Sequence, residues 1–398
     1  MLRDFGAVPE RTLPALAILI FYETAYPASM GGIEMRNFEL ASALARRGHE
    51  VTLAAFGPAE KAPAEPTLRR LSLGASASLY NRAGRRSAVQ ALRFAWAAAR
   101  IDLRPFAVIE TAQVPFAHLF PLALRCRLSR RPLVVTWYEV WGAYWKHYLG
   151  GLRAPAHRAV EWLGAQLGAA ATATSGLTAG RLARVRRPGP AVPIGCGVDV
   201  ARVRRAAGNG NAGGPPVVFA GRLLSHKRLD LLLRAVRELG GVAPGGVLLA
   251  IFGDGPDRPR LERLAAELGI AGRVEFRGHV ATSEEVWEAL GRARVAVQPS
   301  AREGFGLFPL EAMAAGLPVV FCDSPESAVG ELVRDGVEGL SVTAEPAALA
   351  AAIARLLDDR TLHERLRRAA LRRAEDYDWD AVAHRFEELC RSLLARRR

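Results

Sequence analysis

Ser300–Val320 reads SAREGFGLFPLEAMAAGLPVV. Two glutamates, Glu303 and Glu311, stand eight positions apart, with Gly304 and Gly306 between them. The preceding VAVQPS and the closing GLPVVFCDS are short apolar runs of the kind that form buried strands. The spacing predicts strand, glycine loop, helix and strand, a crossover unit of a parallel sheet. Loops at the carboxyl edge of such a sheet are where ligands bind. Backbone N–H groups converging at Gly304 and Gly306 near a helix start favour an anion. Glu303 is placed to accept hydrogen bonds from sugar hydroxyls. Glu311, about two turns into the helix, faces the same cleft and suits a ribose hydroxyl. Its neighbours LFPL and AMAAG are apolar, and a carboxylate set among them needs a partner.

The same β-loop-α-β rhythm runs through the chain. LPALAILIFY (13–22) reads as a strand, IEMRNFELASALARR (33–47) as a helix stopped by Gly48, and HEVTLAAF as the next strand. FAVIE (106–110), PLVVTWY (132–138) and AAATATS (169–175) begin further units. Residues 204–216, RRAAGNGNAGGPP, have linker composition, and the strand–helix pattern restarts behind them. Two consecutive doubly wound α/β domains follow: 1–200, a linker at 201–216, and 217–378, with a last helix over 379–398.

At 398 residues the chain is too long for one ordinary core and comfortable for two. The four cysteines are scattered without short spacings, which argues against a zinc site or disulfide framework and fits a reducing cytosol. No apolar run reaches membrane-span length, and the start lacks the pattern of a cleaved leader. The net charge of +14 is unevenly spread. Residues 1–200 hold 25 basic and 13 acidic side chains, a balance of +12, and residues 201–398 hold 29 and 27, a balance of +2. A basic first half implies an anionic partner for it.

In the second half, Arg222 ends the first strand and Lys227 follows in GRLLSHKRLD, two cations at a strand end that suit a diphosphate. IFGDGP, with Gly253, and RGHV, with His279 and Val280, are two more strand ends where a bare backbone lets a planar base approach. No G-x-G-x-x-G follows the first strand, which argues against a dinucleotide dehydrogenase.

AGRLLSHKRLDLLLRA, IFGDGP, VEFRGHV and PSAREGFGLFPLEAMAAGLPVV resemble family-4 glycosyltransferases, which have the GT-B fold. So do SMGGIEMRNFELASALARRGHEVTL near the start and SGLTAGRL and IGCGVD between. The resemblance covers almost the whole chain. It implies two Rossmann-like domains facing across a cleft, with the C-terminal helix crossing back to the first. It also implies a retaining, metal-independent hexosyltransferase needing no cofactor and taking a nucleotide diphosphate sugar. By motif match, Arg222 and Lys227 hold the diphosphate. Glu303, Gly304, Phe305, Gly306 and Leu307 hold the sugar and phosphate, and Glu311 holds the ribose. His279 and Val280 border the base, and Gly31 and Gly32 let the first domain close over the phosphates. Glu303, Arg222 and Lys227 are the catalytic set; no metal ligands are expected.

One departure stands out. Relatives often carry His-Asp or His-Glu after the VVT strand, and this chain has Tyr138 and Glu139 there. Both are candidates on the acceptor side, flanked by aromatic residues that suit stacking on sugar rings or a core cluster. His118 and His147 read as structural or surface residues. Other readings stay open: a nucleotide-sugar epimerase or phosphorylase on the same fold, or a non-catalytic sugar-nucleotide-binding protein.

The expected partners are the nucleotide sugar and a glycan or lipid-linked acceptor, not nucleic acid. An anionic membrane is a further candidate through residues 69–104, which hold Arg69, Arg70, Arg82, Arg85, Arg86, Arg93, Arg100 and Arg104. A helix over SAVQALRFAWAAAR puts Val89, Leu92, Trp96 and Ala99 along one face and arginines along another. That face either meets a membrane from the cytoplasmic side or packs into the domain core.

Overall fold

The computed structural model describes residues 14–29, 31–58, 66–75, 79, 87–146, 151, 153–208, 213–239 and 246–396. Their strands form two sheets. The first holds β1 (Ala17–Phe21), β2 (Glu50–Ala55), β3 (Leu68–Ser72), β4 (Val108–Ala112), β5 (Leu133–Trp137), β6 (Ala170–Ala173) and β7 (Val192–Pro193). Their order is β3-β2-β1-β4-β5-β6-β7. The second holds β8 (Val217–Ala220), β9 (Leu249–Phe252), β10 (Val274–Gly278), β11 (Val295–Gln298), β12 (Val319–Cys322) and β13 (Gly339–Val342), in the order β10-β9-β8-β11-β12-β13. In each sheet the order reverses beside the first strand, between β1 and β4 and between β8 and β11, the doubly wound arrangement the sequence predicts.

The strands are short apolar runs because both faces are covered. In the second sheet Val217 and Phe219 enter one core with Ile251, Val295 and Val297, while Val218 enters the other with Ala250, Phe252 and Ala296. Pairing is parallel throughout this sheet. A strand covered on both sides has no polar face, so it reads as a run and not as an alternation. Phe219 is wholly buried, a contribution of about 2–3 kcal/mol for that side chain.

By packing, the chain divides into two compact units. One runs up to Thr111 and adds Ala117–Val134 and the residues from Leu394; the other holds Ala112–Phe116 and Val135–Leu393. In the first, the helix Gly32–Arg46 follows β1 and stops at Gly48, whose φ of 87° is the left-handed stop the sequence predicts. β3 escapes sequence reading because it is an edge strand, LRRLS, with an exposed, charged pattern. Arg69 and Arg70 therefore sit on that strand. Arg70 hydrogen-bonds the carbonyl of Tyr26 and lies over the Phe38 ring.

The stretch expected as a linker opens with a helix, Val200–Ala207. The Asp199 side chain caps it by accepting the Arg202 N–H at 2.8 Å, and Val200 and Val203, three apart, are buried. Gly208, at φ 63°, ends it, and residues 209–212 lie outside the described residues. The last helix spans Trp379–Ala395. Among the described residues, no helix is long and apolar enough to cross a membrane.

Candidate functional site

The second sheet brings Lys227, beyond the end of β8, against Glu303, beyond β11, and Gln298, the last residue of β11; Arg222 follows the end of β8. These two strand ends flank the point where strand order reverses. The loops are tied twice. Ala301 N–H donates to the His226 carbonyl at 2.8 Å, and Lys227 Nζ lies 2.5 Å from Glu303 Oε2. The same carboxylate oxygen accepts from Gln298 Nε2 at 2.9 Å, and that nitrogen also reaches Ser300 Oγ at 2.8 Å. Gln298 and Ser300 are buried, while Lys227 and Glu303 keep 15% and 17% of their side chains exposed. The backbone of Glu303 is held as well: its N–H donates to Glu326 O, and its carbonyl accepts from Ala328 N–H. Glu303 is thus fixed at both backbone and side chain. Arg222 is exposed, and its guanidinium makes no hydrogen bond or ion pair among the described residues.

The glycines of IFGDGP have a more specific task than turn formation. A Cβ on Gly253, at φ 113°, would lie 2.2 Å from the Gly221 carbonyl oxygen, and one on Gly255 would lie 2.3 Å from that of Leu223. The β9 loop therefore packs backbone against backbone on the loop that carries Arg222, with Leu223 N–H donating to Asp254 O at 2.9 Å. His279 is exposed, and Val280 packs against the apolar cluster of this unit.

Gly306, at φ 107°, starts the helix Leu307–Ala314 from a left-handed position that a Cβ would strain. Phe305, next to it, is buried. Gly304 serves close approach: a Cβ there would sit 2.7 Å from the carbonyl oxygen of Tyr138. That carbonyl accepts from Thr174 Oγ1 at 3.2 Å, which also reaches Gly304 O at 3.4 Å. Beside it, Glu139 Oε2 accepts from Arg302 Nη2 at 3.0 Å and Nε at 3.2 Å, and the Arg302 guanidinium lies 4.2 Å from the centre of the Tyr144 ring. Tyr138 and Glu139 thus stand against Arg302–Gly304. Arg302, Gln298, Ser300 and His226 all belong to this constellation, and the sequence alone singles out none of them. Their only signal was position, at the ends of strands β8 and β11.

Glu311 meets Trp287, whose Nε1–H donates to Oε1 at 3.1 Å from the neighbouring helix Ser283–Arg292. Burial pushes its carboxyl up to about 7, and the indole N–H opposes that rise. Burial, then the Lys227 charge, holds the His226 imidazole below its ordinary value.

Gly31 and Gly32 belong to the other unit. Gly31 precedes the helix Gly32–Arg46, and a Cβ on it would lie 2.2 Å from Glu34 Oε2. The Glu34 carboxylate accepts from Thr24 Oγ1 at 2.6 Å and Ser29 Oγ at 3.0 Å over this helix start. His118 is buried with Nε2 3.0 Å from Thr111 Oγ1, a structural position as expected; His147 lies outside the described residues.

Residues 203–373 match the family model described as glycosyl transferases group 1, and residues 30–202 match that described as glycosyltransferase family 4. A D-inositol 3-phosphate glycosyltransferase of Streptomyces avermitilis is 38% identical over 207 residues, 47% of this chain and 43% of the relative. The chain thus spans less than half the length of that relative. Among solved structures, a sucrose-phosphate synthase from Thermosynechococcus elongatus superposes with a TM-score of 0.75 at 23% identity, covering 96% of this chain and 99% of the other. The Anabaena protein HepE, solved in complex with UDP and glucose, superposes at 0.70 with 19% identity, covering 95% and 100%. These likenesses show a shared two-domain GT-B fold.

Proposed function

The chain belongs to the glycosyltransferases of group 1 and family 4, and we propose that it moves a hexose from a nucleotide diphosphate sugar to a glycan or lipid-linked acceptor with retention of configuration. The observation that carries this reading is the junction of β8 and β11, where Lys227, Glu303 and Gln298 converge; the exposed Arg222 follows the end of β8, five residues before Lys227. Two cations at a strand end suit the diphosphate, and the fixed Glu303 carboxylate suits the hydroxyls of the sugar. In transfer, the acceptor hydroxyl oxygen bonds to the anomeric carbon. The bond from that carbon to the diphosphate breaks, its electron pair leaves with the phosphate oxygen, and that oxygen takes the acceptor proton. Charge grows on the leaving diphosphate, and Arg222 and Lys227 stabilise it without a divalent metal.

In this reading Glu311 takes the ribose, and His279 and Val280 border the base. Residues 217–378 form the donor domain and residues 1–200 the acceptor domain, with the helix 379–398 returning to it. Tyr138 and Glu139 take the acceptor side in this reading, which their packing against Gly304 supports. The Anabaena protein solved with UDP and glucose supports a nucleotide-sugar donor for this fold. Lipid-linked acceptors would place the enzyme at the cytoplasmic face of a membrane.

Thermal-shift screening against UDP-, GDP-, ADP- and dTDP-sugars tests the donor. A ligand at about a hundred times its Kd stabilises by roughly 2.7 kcal/mol. No shift with any of them overturns the reading, and a product of inverted anomeric configuration by NMR overturns retention.

A further inference from the structure

We propose that the helices Ala88–Arg100 and Leu119–Leu128 together form a docking face for an anionic lipid bilayer. On the first helix the sequence leaves two homes for the apolar stripe, core or membrane, and the structure excludes the core. The buried side of that helix is Gln90, Phe94, Ala97 and Ala98, with Phe94 stacked on Phe21 of β1 at 4.6 Å between ring centres. Val89, Leu92 and Trp96 face outward, 67%, 67% and 59% exposed. The arginine face adjoins this stripe. Arg93 and Arg100 flank the stripe on its exposed side, and the Arg100 guanidinium lies 4.0 Å from the Trp96 ring centre.

The second helix repeats the pattern. Leu119, Leu122 and Cys126 are buried, while Phe120, Leu124 and Leu128, spaced four apart, are exposed. The two helices pack side by side in one unit, with the Phe94 ring 4.5 Å from that of His118, the residue before Leu119. Each helix buries one side and leaves its apolar stripe on the exposed side. Outward apolar side chains of this size on two adjacent helices mark an interaction surface.

Charge selects the occupant. Arg127 and Arg130 are exposed and Arg131 half-buried at the end of the second helix. The two acidic side chains between residues 87 and 131 are already engaged, Asp102 by Arg104 and Glu110 by Arg36. A second copy would bring the same cations against these and repel them, whereas an anionic bilayer pairs with them while its acyl region takes Trp96, Leu92 and Leu124. Arg82, Arg85 and Arg86 lie outside the described residues. The proposal goes beyond sugar transfer and stands whichever donor the chain takes.

Sedimentation with vesicles tests it, using phosphatidylcholine alone and phosphatidylcholine mixed with phosphatidylglycerol. The full chain pellets with the mixed vesicles at low salt and is released by added salt. Arg100→Ser and Arg127→Ser each lower the partition coefficient about fivefold. Trp96→Ser and Leu124→Ser lower it at least as far at unchanged melting temperature; should one of them melt early, the other serves. Equal pelleting with both vesicle types, no pelleting, or variants that pellet like the parent overturn the proposal. So does a dimer in analytical ultracentrifugation that Trp96→Ser and Leu124→Ser dissolve, since a second copy would then cover the face.

Discussion

Lys227 Nζ and Glu303 Oε2 lie 2.5 Å apart, and Gln298 Nε2 holds the same oxygen at 2.9 Å. Neither charged side chain is more than one-fifth exposed, so each supplies much of the other's solvation. Removing one leaves the other poorly compensated. Lys227→Ala and Glu303→Ala should each cut turnover about a hundredfold. In a double-mutant cycle on stability the pair should show a coupling of roughly 0.5–3 kcal/mol, the double variant losing less than the two singles together. Strictly additive losses would dissolve the pair as a unit.

Arg222 provides the contrast. It is exposed and has no protein partner among the described residues, so it does nothing measurable for the fold. Arg222→Ala should melt within about 0.5 kcal/mol of the parent while turnover falls about a hundredfold. Near-normal turnover, measured beside a normal melt, would take Arg222 out of the diphosphate site.

This contrast marks what the sequence makes legible. Arg222, Lys227, Glu303 and Glu311 could be singled out because each sits at a strand end or in an apolar helix, where a charge is conspicuous. Gln298 and Arg302 could not: one closes the apolar run of β11, and the other resembles any loop arginine until Glu139, 163 residues earlier, meets it. The strands of the second sheet were readable as apolar runs because both their faces are covered. β3 was not, because an edge strand carries no such run. For the helix Ala88–Arg100, periodicity located the apolar stripe but not its direction. Periodicity is blind to which side the sheet lies on, and here small alanines and Phe94 take the inner side.

The proposed transfer uses fixed cations where other enzymes use a divalent metal. Turnover should therefore persist in EDTA, and adding magnesium or manganese should change it less than about twofold. Loss of activity in chelator, restored by either metal, would contradict that assignment of charge stabilisation to Arg222 and Lys227.

Gly197 lies beneath Trp379, the first residue of the last helix. A Cβ on Gly197 would meet the indole Cδ2 at 2.6 Å, and Val198 N–H already donates to Tyr377 O at 2.9 Å beside it. Trp379 is 4% exposed and has no open side to move into. Gly197→Ala should cost about 1–3 kcal/mol of stability by overpacking, read as a lower denaturation midpoint. Trp379→Phe in the same background should recover part of the loss by shortening the ring. An unchanged midpoint for Gly197→Ala would show that this contact is not tight.

Glu311 gives the site a pH dependence. In the unfolded chain its carboxyl titrates near 4.5, whereas in the fold burial raises it to about 7. The folded protein therefore keeps a proton that the unfolded chain releases. Stability from this group is complete below about pH 4.5, falls as pH rises, and is lost above about pH 7, a change of up to roughly 3 kcal/mol. Glu311→Gln keeps an oxygen for the Trp287 N–H and does not titrate, so its stability relative to the parent should climb across the same window. In the proposed donor site, ribose hydroxyls donate to the carboxylate and lower its pKa. Binding of a nucleotide diphosphate sugar to the parent should then tighten as pH rises toward about 7 and level off beyond it, while Glu311→Gln binds with a flat profile over that range. Denaturation curves and titration calorimetry on both proteins between about pH 5 and pH 8 measure the two effects. Parallel stability curves would refute the raised pKa. A parent whose donor affinity is as flat as that of Glu311→Gln, with the stability difference intact, would leave the buried carboxyl in place and remove it from the ribose site.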